Sequence, residues 1–204
     1  VLAHGEQSIL PVREMKLAGL HNAANALAAL GLTSELGLPR TGVLEALRTC
    51  RGLPHRVEPV AEVAGVRFYD DSKATNVGST VAALNGFAKQ LEGSSARVVL
   101  IAGGDGKGQN FAPLKDPIDR AGRAVVLIGR DGARIRAAIA GTPARLVDAT
   151  SMADAVERAR RLARPGDIVL LSPACASFDM FNNYKHRGEL FAQTVRGLPH
   201  ARRL

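Results

Sequence analysis

The chain has 204 residues, of which 46% are hydrophobic and 23% charged. This is a globular balance with room for one ordinary domain plus a fragment, or two small domains, and it excludes an intrinsically disordered chain. The net charge of +8 ranks a solvated basic surface first, an anionic small-molecule site second and nucleic acid a distant third, because basic residues are dispersed, Trp is absent and only two Tyr are present.

No apolar run approaches the roughly 20 residues of a membrane helix, and Val1–Glu6 lacks the basic and apolar regions of a signal peptide. Neither membrane nor nucleic acid is expected as a partner. Cys50 and Cys175 have neither a disulfide framework's density nor a metal site's spacing. A reducing, cytoplasmic setting is expected. The first residue is Val rather than Met, as in a portion of a longer protein or a processed N-terminus.

The first 52 residues read as helical. The alanine-rich run Ala23–Leu30 favours a helix, with Asn22 as its N-cap. Gly37-Leu38-Pro39 ends it, and Thr41 caps a second helix through Leu47. Two helices without strand partners make a poor domain, so this region reads as the tail of a larger one. The division falls near Leu53-Pro54.

Beyond it, strands and helices alternate. Arg56–Val63 and Val66–Tyr69 flank Ala64-Gly65 as a hairpin. A helix follows over Val77–Leu91. Short apolar strands are predicted at Arg97–Ala102, Ala124–Ile128 and Asp167–Leu171, with a weaker one at Ala144–Val147. Ser151–Ala163 reads as a helix, with Ser151 and Asp154 as capping partners. The predicted fold class is α/β: a Rossmann-like, mostly parallel sheet flanked by helices. Ligands in such sheets bind beyond the C-terminal strand ends.

Three polar or glycine-rich loops fall at those ends. Asp70–Asn76 packs two carboxylates, an ammonium, two hydroxyls and an amide into seven residues; it is either a capped polar loop or a site using the free N–H groups of the next helix. Gly103-Gly104-Asp105-Gly106-Lys107-Gly108 lets the backbone approach a ligand and offers Lys107 to an anion, or is a flexible turn. It lacks the G-x-x-x-x-G-K-[ST] spacing of a P-loop. Ser172–Asp179 leaves room for a ligand, with Ser177 as donor and Phe178 and Tyr184 as walls; alternatively it is a tight turn in which Asp179 caps the last helix. Cys175 has no base placed beside it and reads as an inert small residue, and His186 as a surface helix residue. Asn22 and Asn25 share a helix face and either hold a nucleotide base, support a metal site or make core-edge hydrogen bonds. Arg56 reaches a phosphate or pairs with an acid.

Taken together, the strings Gly19-Leu20-His21-Asn22 with Asn25, Gly52–Arg56, Asp71–Asn76, Gly103–Lys107 and Ser172–Asp179 resemble the Mur ligases, the ATP-dependent amide-forming enzymes of peptidoglycan synthesis. Their order and spacing match from about Leu17 to the last helix. Ser-Lys-Ala-Thr-Asn and Ser-Pro-Ala-Cys-Ala-Ser point to the branch that adds D-glutamate to UDP-N-acetylmuramoyl-L-alanine.

The resemblance implies residues 1–52 as the end of a central ATPase domain and 53–204 as the C-terminal, amino-acid-binding domain. The UDP-sugar domain, the P-loop and most of the Mg²⁺ site have no match, so the isolated chain is expected to be inactive. ATP and Mg²⁺ are the implied cofactors, the missing N-terminal and central domains the implied partners, and an acyl phosphate the implied intermediate. The resemblance implies nucleotide contacts for Asn22, Asn25, Arg56 (phosphates) and Asp71 (ribose). It implies catalytic roles for Lys73 and Lys107, and D-glutamate binding by Thr75, Lys107, Ser177, Phe178 and Tyr184. Tyr184 stands where the family often has Phe. Two alternatives stay open: a stand-alone D-glutamate or nucleotide-binding module, and another amide-forming ligase of the superfamily.

Overall fold

The computed structural model describes residues 1–17, 20–50 and 52–204, with the side chains of Leu20 and His21 also outside the description. Gly19 and the His21 side chain of the first family string therefore lie outside it. The chain divides into two compact units, Val1–Leu53 and Pro54–Leu204.

The first unit is not purely helical. β1 (Leu2–His4) and β2 (Gln7–Leu10) form an antiparallel hairpin before α1 (Leu20–Glu35) and α2 (Arg40–Thr49). Leu2 and Leu10 from the hairpin join Met15, Ala23 and Ala26 in a small core, so the helices do have strand partners. Two predicted caps are also corrected. α1 starts at Leu20, which puts Asn22 inside its first turn. α2 starts at Arg40 behind Pro39, with no side-chain cap, so Thr41 is a helix residue. Proline supplies the entry backbone there instead of a hydroxyl.

The second unit is a seven-stranded sheet. Its strands are β3 (Glu58–Val63), β4 (Val66–Asp70), β5 (Val98–Gly103), β6 (Gly122–Ile128), β7 (Arg145–Asp148), β8 (Ile168–Leu171) and β9 (Arg202–Arg203). The spatial order is β7-β6-β5-β8-β4-β3-β9. From β7 to β4 every pair is parallel, and β3 pairs antiparallel with β4 and β9. The turn Ala64-Gly65 joins β3 to β4, with φ of 50° and 77°. That is the positive-φ pair a two-residue hairpin needs to match strand twist.

Both faces are covered, which explains why the central strands are apolar throughout. Val98, Leu100, Ala102, Val125, Leu127 and Leu170 pack against α3 (Val77–Gln90), α4 (Lys115–Ala121) and α5 (Gly132–Ala138), through Leu84, Phe87, Ile118 and Ile135. The alternating residues Val99, Ile101, Val126, Val169, Leu171 and Phe68 pack against α6 (Met152–Leu162) and α7 (Tyr184–Arg196), through Val156, Ala159, Phe191 and Val195. Each fully buried aliphatic side chain contributes about 2 kcal/mol. Asp167 ties the opposite pole together. It accepts N–H groups from Arg97 and Arg164 at 2.8 Å and pairs with Arg123. Burial pushes its carboxyl up, but these donors outweigh that and leave it below the ordinary value. No described helix is long and apolar enough to cross a membrane.

The connections create the crevice. The chain after β4 and after β5 runs into helices on one face, while the chain after β8, between them, runs into α7 on the other. The three loops leave adjacent strands at a topological switch point, the place where ligands of such sheets bind. The floor of the cleft depends on Gly103 and Gly104, both at φ 128°. A Cβ at Gly103 would collide with the Ile128 carbonyl, and one at Gly104 with the Ala176 carbonyl. Gly103→Ala is expected to destabilise the protein by about 3 kcal/mol, read as a lower urea midpoint.

Candidate functional site

The three loops are fastened to one another, strand by strand. Asp71 N–H donates to the Leu171 carbonyl at 2.8 Å, Ser172 N–H to Ile101 at 3.2 Å and Gly103 N–H to Pro173 at 2.9 Å. Asp105 and Ala176 exchange both backbone hydrogen bonds, at 3.0 and 2.8 Å. The side chain of Gln109 spans the same gap. Its Nε2 donates to the carbonyls of Gly106 and Ala174, and its Oε1 accepts Val77 N–H at 3.0 Å.

A residue that the sequence reading passed over locks the arrangement. Arg187, on α7, is fully buried. Its Nε donates to Ser72 Oγ at 3.0 Å, its Nη2 to the Ser72 carbonyl at 2.8 Å and its Nη1 to the Cys175 carbonyl at 3.1 Å. One guanidinium thus ties the loop after β4 to the loop after β8. Burial lowers its pKa to about 10, so it stays charged at neutral pH. An Arg within a helix gives no sequence signal of such a role.

The predicted site residues divide between the units. Asn22, half-buried, and Asn25, exposed, belong to α1 in the first unit. Arg56, Asp71, Lys73, Thr75, Lys107, Ser177, Phe178 and Tyr184 belong to the second. Asp71 is buried and accepts the Ser172 hydroxyl at 2.7 Å. Burial raises its pKa to about 7, against the lowering effect of Ser172, the Val57 N–H and the Arg56 charge. Asp70 beside it is also raised by burial, opposed by its hydrogen bond to His55 Nδ1 at 2.7 Å. Lys73 is half-buried, with Nζ 4.0 Å from the centre of the Tyr184 ring. Thr75 donates its N–H to the Lys73 carbonyl at 2.8 Å. Lys107 is exposed at the tip of its loop, in a left-handed conformation (φ 49°) held by its N–H to Asp105 Oδ1 at 3.0 Å. Ser177 is buried, whereas Phe178 is 71% exposed.

Two local expectations are corrected. The start of α3 is largely occupied, because Asn76 Oδ1 caps Ser79 N–H at 2.9 Å and Gln109 takes Val77 N–H. The Val77 and Ser79 N–H groups are thereby satisfied within the protein. Asp179 does not cap α7. Asn183 does, accepting His186 N–H at 3.0 Å, while Asp179 Oδ2 accepts Arg130 N–H at 2.8 Å from the loop after β6. Asp131 of that same loop accepts Gly106 N–H at 2.7 Å, which steadies the glycine loop and lowers the Asp131 carboxyl. Cys175 is buried, and burial pushes its thiol up to about 12, so it is inert as a nucleophile.

Such an arrangement can hold an anion. Lys73, Lys107 and Arg56 are cations on or beside these loops, and of the nearby carboxylates Asp70 and Asp71 are driven toward their neutral forms by burial. Comparison with known proteins shows the family and the fold. Residues 55–175 match the family model for the Mur ligase, glutamate ligase domain. The chain is 55% identical over 195 residues to the UDP-N-acetylmuramoylalanine–D-glutamate ligase of Nitrosomonas europaea, covering 96% of this chain and 40% of that protein. It is 56% identical to the Chromobacterium violaceum ligase of the same name, covering 96% of this chain and 42% of that one. The chain thus spans about 40% of the length of these relatives. The fold is that of the UDP-N-acetylmuramate-alanine ligase of Thermotoga maritima (TM-score 0.63, 18% identity, 88% of this chain and 38% of that one). It is also that of the Mycobacterium tuberculosis folylpolyglutamate synthase (TM-score 0.66, 17% identity, 86% of this chain and 41% of that one).

The raised Asp71 carboxyl sets a pH dependence. Between the ordinary value of 3.8 and about 7, the folded state holds the proton that the unfolded chain releases, so this contribution to stability falls as pH rises. Asp71→Asn is expected to remove that contribution. Its urea midpoint relative to the parent protein should therefore be higher at pH 8 than at pH 4, and an offset that does not change with pH would contradict the assignment.

Proposed function

The chain belongs to the Mur ligase family through its glutamate ligase domain, and from that membership we propose that it forms the amino-acid-binding part of an ATP-dependent ligase adding D-glutamate to UDP-N-acetylmuramoyl-L-alanine. The observation that carries this reading is that Lys73, Thr75, Lys107 and Ser177 lie on three loops that leave adjacent strands at one switch point. The high identity to relatives named for D-glutamate supports this choice of amino acid.

In this reading ATP is a substrate, and its γ-phosphoryl group passes to the carboxylate of UDP-N-acetylmuramoyl-L-alanine. The amine of D-glutamate then attacks the acyl phosphate, and inorganic phosphate leaves with the C–O bond electrons. Negative charge gathers on phosphoryl and carbonyl oxygens, so placed cations and donors dominate catalysis. Lys73 serves that charge. Thr75, Lys107 and Ser177 grip the carboxylates of D-glutamate, with Phe178 and Tyr184 beside them. Arg56 faces the phosphates, Asp71 the ribose, and Asn22 and Asn25 the nucleotide. Asp71 is suited to a ribose hydroxyl, since a carboxyl poised near neutrality can accept or donate. Mg²⁺ would offset phosphate charge, and none of the residues assigned here is a ligand for it.

Residues 1–52 are read as the end of the central ATPase domain and 53–204 as the C-terminal domain. Exposed Leu27, Leu32 and Leu36 in the first unit support this, since they are apolar surface that a larger domain would cover. With no P-loop in its 204 residues, the chain alone should not turn over. Amide product from the purified chain with ATP, UDP-N-acetylmuramoyl-L-alanine and D-glutamate would sink that part of the proposal. In the complete ligase, Lys107→Ala should raise the D-glutamate KM by about tenfold or more, the value of a charge-assisted hydrogen bond, with a smaller effect on kcat. An unchanged KM would take Lys107 out of the carboxylate clamp.

A further inference from the structure

We propose that Tyr184 is a positioning residue for the Lys73 ammonium, and that the His55–Asp70 pair braces its ring. This rests on the reading of Lys73 as the cation of the reaction centre.

The starting point is how Lys73 is held. Among the described residues no carboxylate lies within ion-pair range of its Nζ. Its partner is the face of Tyr184, 4.0 Å from Nζ to the ring centre. The choice of partner has a chemical consequence. A carboxylate would cancel the charge that an anionic reaction centre needs. An aromatic face attracts the ammonium through its quadrupole and leaves the net charge intact. The side chain is localised without being neutralised.

Tyr184 is itself held through its backbone and through its ring. Ser72, the neighbour of Lys73, donates its hydroxyl to the Tyr184 carbonyl at 2.7 Å. Lys73 donates its N–H to the His55 carbonyl at 3.1 Å, so the backbone of the cation and that of the brace are joined. The His55 ring meets the Tyr184 ring edge-on, with centroids 6.0 Å apart and planes at 84°. Asp70 Oδ2 and His55 Nδ1 then share a hydrogen bond at 2.7 Å, while Glu58 accepts His55 N–H at 2.8 Å.

The surroundings are shaped around this chain of contacts. Gly188 lies one helical turn beyond Tyr184, and a Cβ there would run into both His55 Nδ1 and Asp70 Oδ2. Only a residue without a side chain lets α7 lie this close to the pair. His55 and Val57 both have positive φ, 62° and 49°. For a β-branched residue that conformation is strained and has to be held by its surroundings. The simpler alternative is that Tyr184 only fills space along the Lys73 stem. Then any residue of similar bulk would serve.

Ring-current shifts and turnover separate the two. In the 204-residue chain, the Lys73 Hε signals should lie upfield of the other lysines. Tyr184→Phe should keep that displacement and Tyr184→Leu should abolish it, with an amide spectrum confirming that each variant is folded. In the complete ligase, Tyr184→Leu should lower kcat by about tenfold, and by more than it changes the D-glutamate KM, with Tyr184→Phe rescuing most of the loss. His55→Gln is the milder variant and should reduce the Lys73 displacement without removing it. Lys73 signals among the other lysines in the parent chain, or full turnover in Tyr184→Leu, would overturn the proposal. An undiminished kcat in Lys73→Ala, with the ring shift present, would instead overturn the functional reading beneath it.

Discussion

A guanidinium with no exposure to solvent has to be satisfied in place, and Arg187 is satisfied only if two loops sit where they do. Its donors go to Ser72 and to the Cys175 carbonyl, all oxygens of formally neutral groups. A carboxylate partner could have held it wherever one acid was available. Two carbonyls and a hydroxyl on separate loops hold it only when those loops adopt one arrangement. The requirement is mutual, because the carbonyls are buried as well and need the donors. The position of Lys73, one residue after Ser72, is inherited from this bond set. So is that of Ser177, two residues after Cys175.

Burial also sets the electrostatics around these loops. Low polarity raises Asp70 and Asp71, while Arg187 keeps its proton. Negative charge is thinned out at the Asp70-Asp71 end of the loops, while the buried guanidinium stays positive. That end therefore carries less negative charge than its count of acids suggests. Little of this depends on exposed ion pairs, which contribute weakly. It comes from which groups burial leaves charged.

Much of this architecture is legible in the amino-acid order. Runs such as Val98–Gly103 are apolar because both faces are covered, and Ala64-Gly65 marks its hairpin by turn chemistry. The three loops are recognisable because polar or glycine-rich strings follow such runs. What is not legible has a common cause. Leu2–Leu10 is too short to show an alternating pattern, so its strands are found only in their pairing. Asn22 and Asp179 have the side chains of caps but not the positions, since Leu20 and Asn183 mark the helix boundaries. Arg187 looks like any basic helix residue until the sheet order brings Ser72 and Cys175 beside it. Local chemistry is visible in sequence; a partner more than a hundred residues away, as Ser72 is for Arg187, is not.

The glycine floor of the cleft also bears on how such a domain can change over generations. Gly103 and Gly104 cannot gain a side chain without striking the backbone of neighbouring strands and loops. Lys107 on the same loop and Phe178 on the loop after β8 meet solvent. Drift is thus blocked at the base of the loops and open at their ends. A lineage can exchange tip residues, and with them whatever the loops contact, while the glycine base that holds the loops in place stays constant.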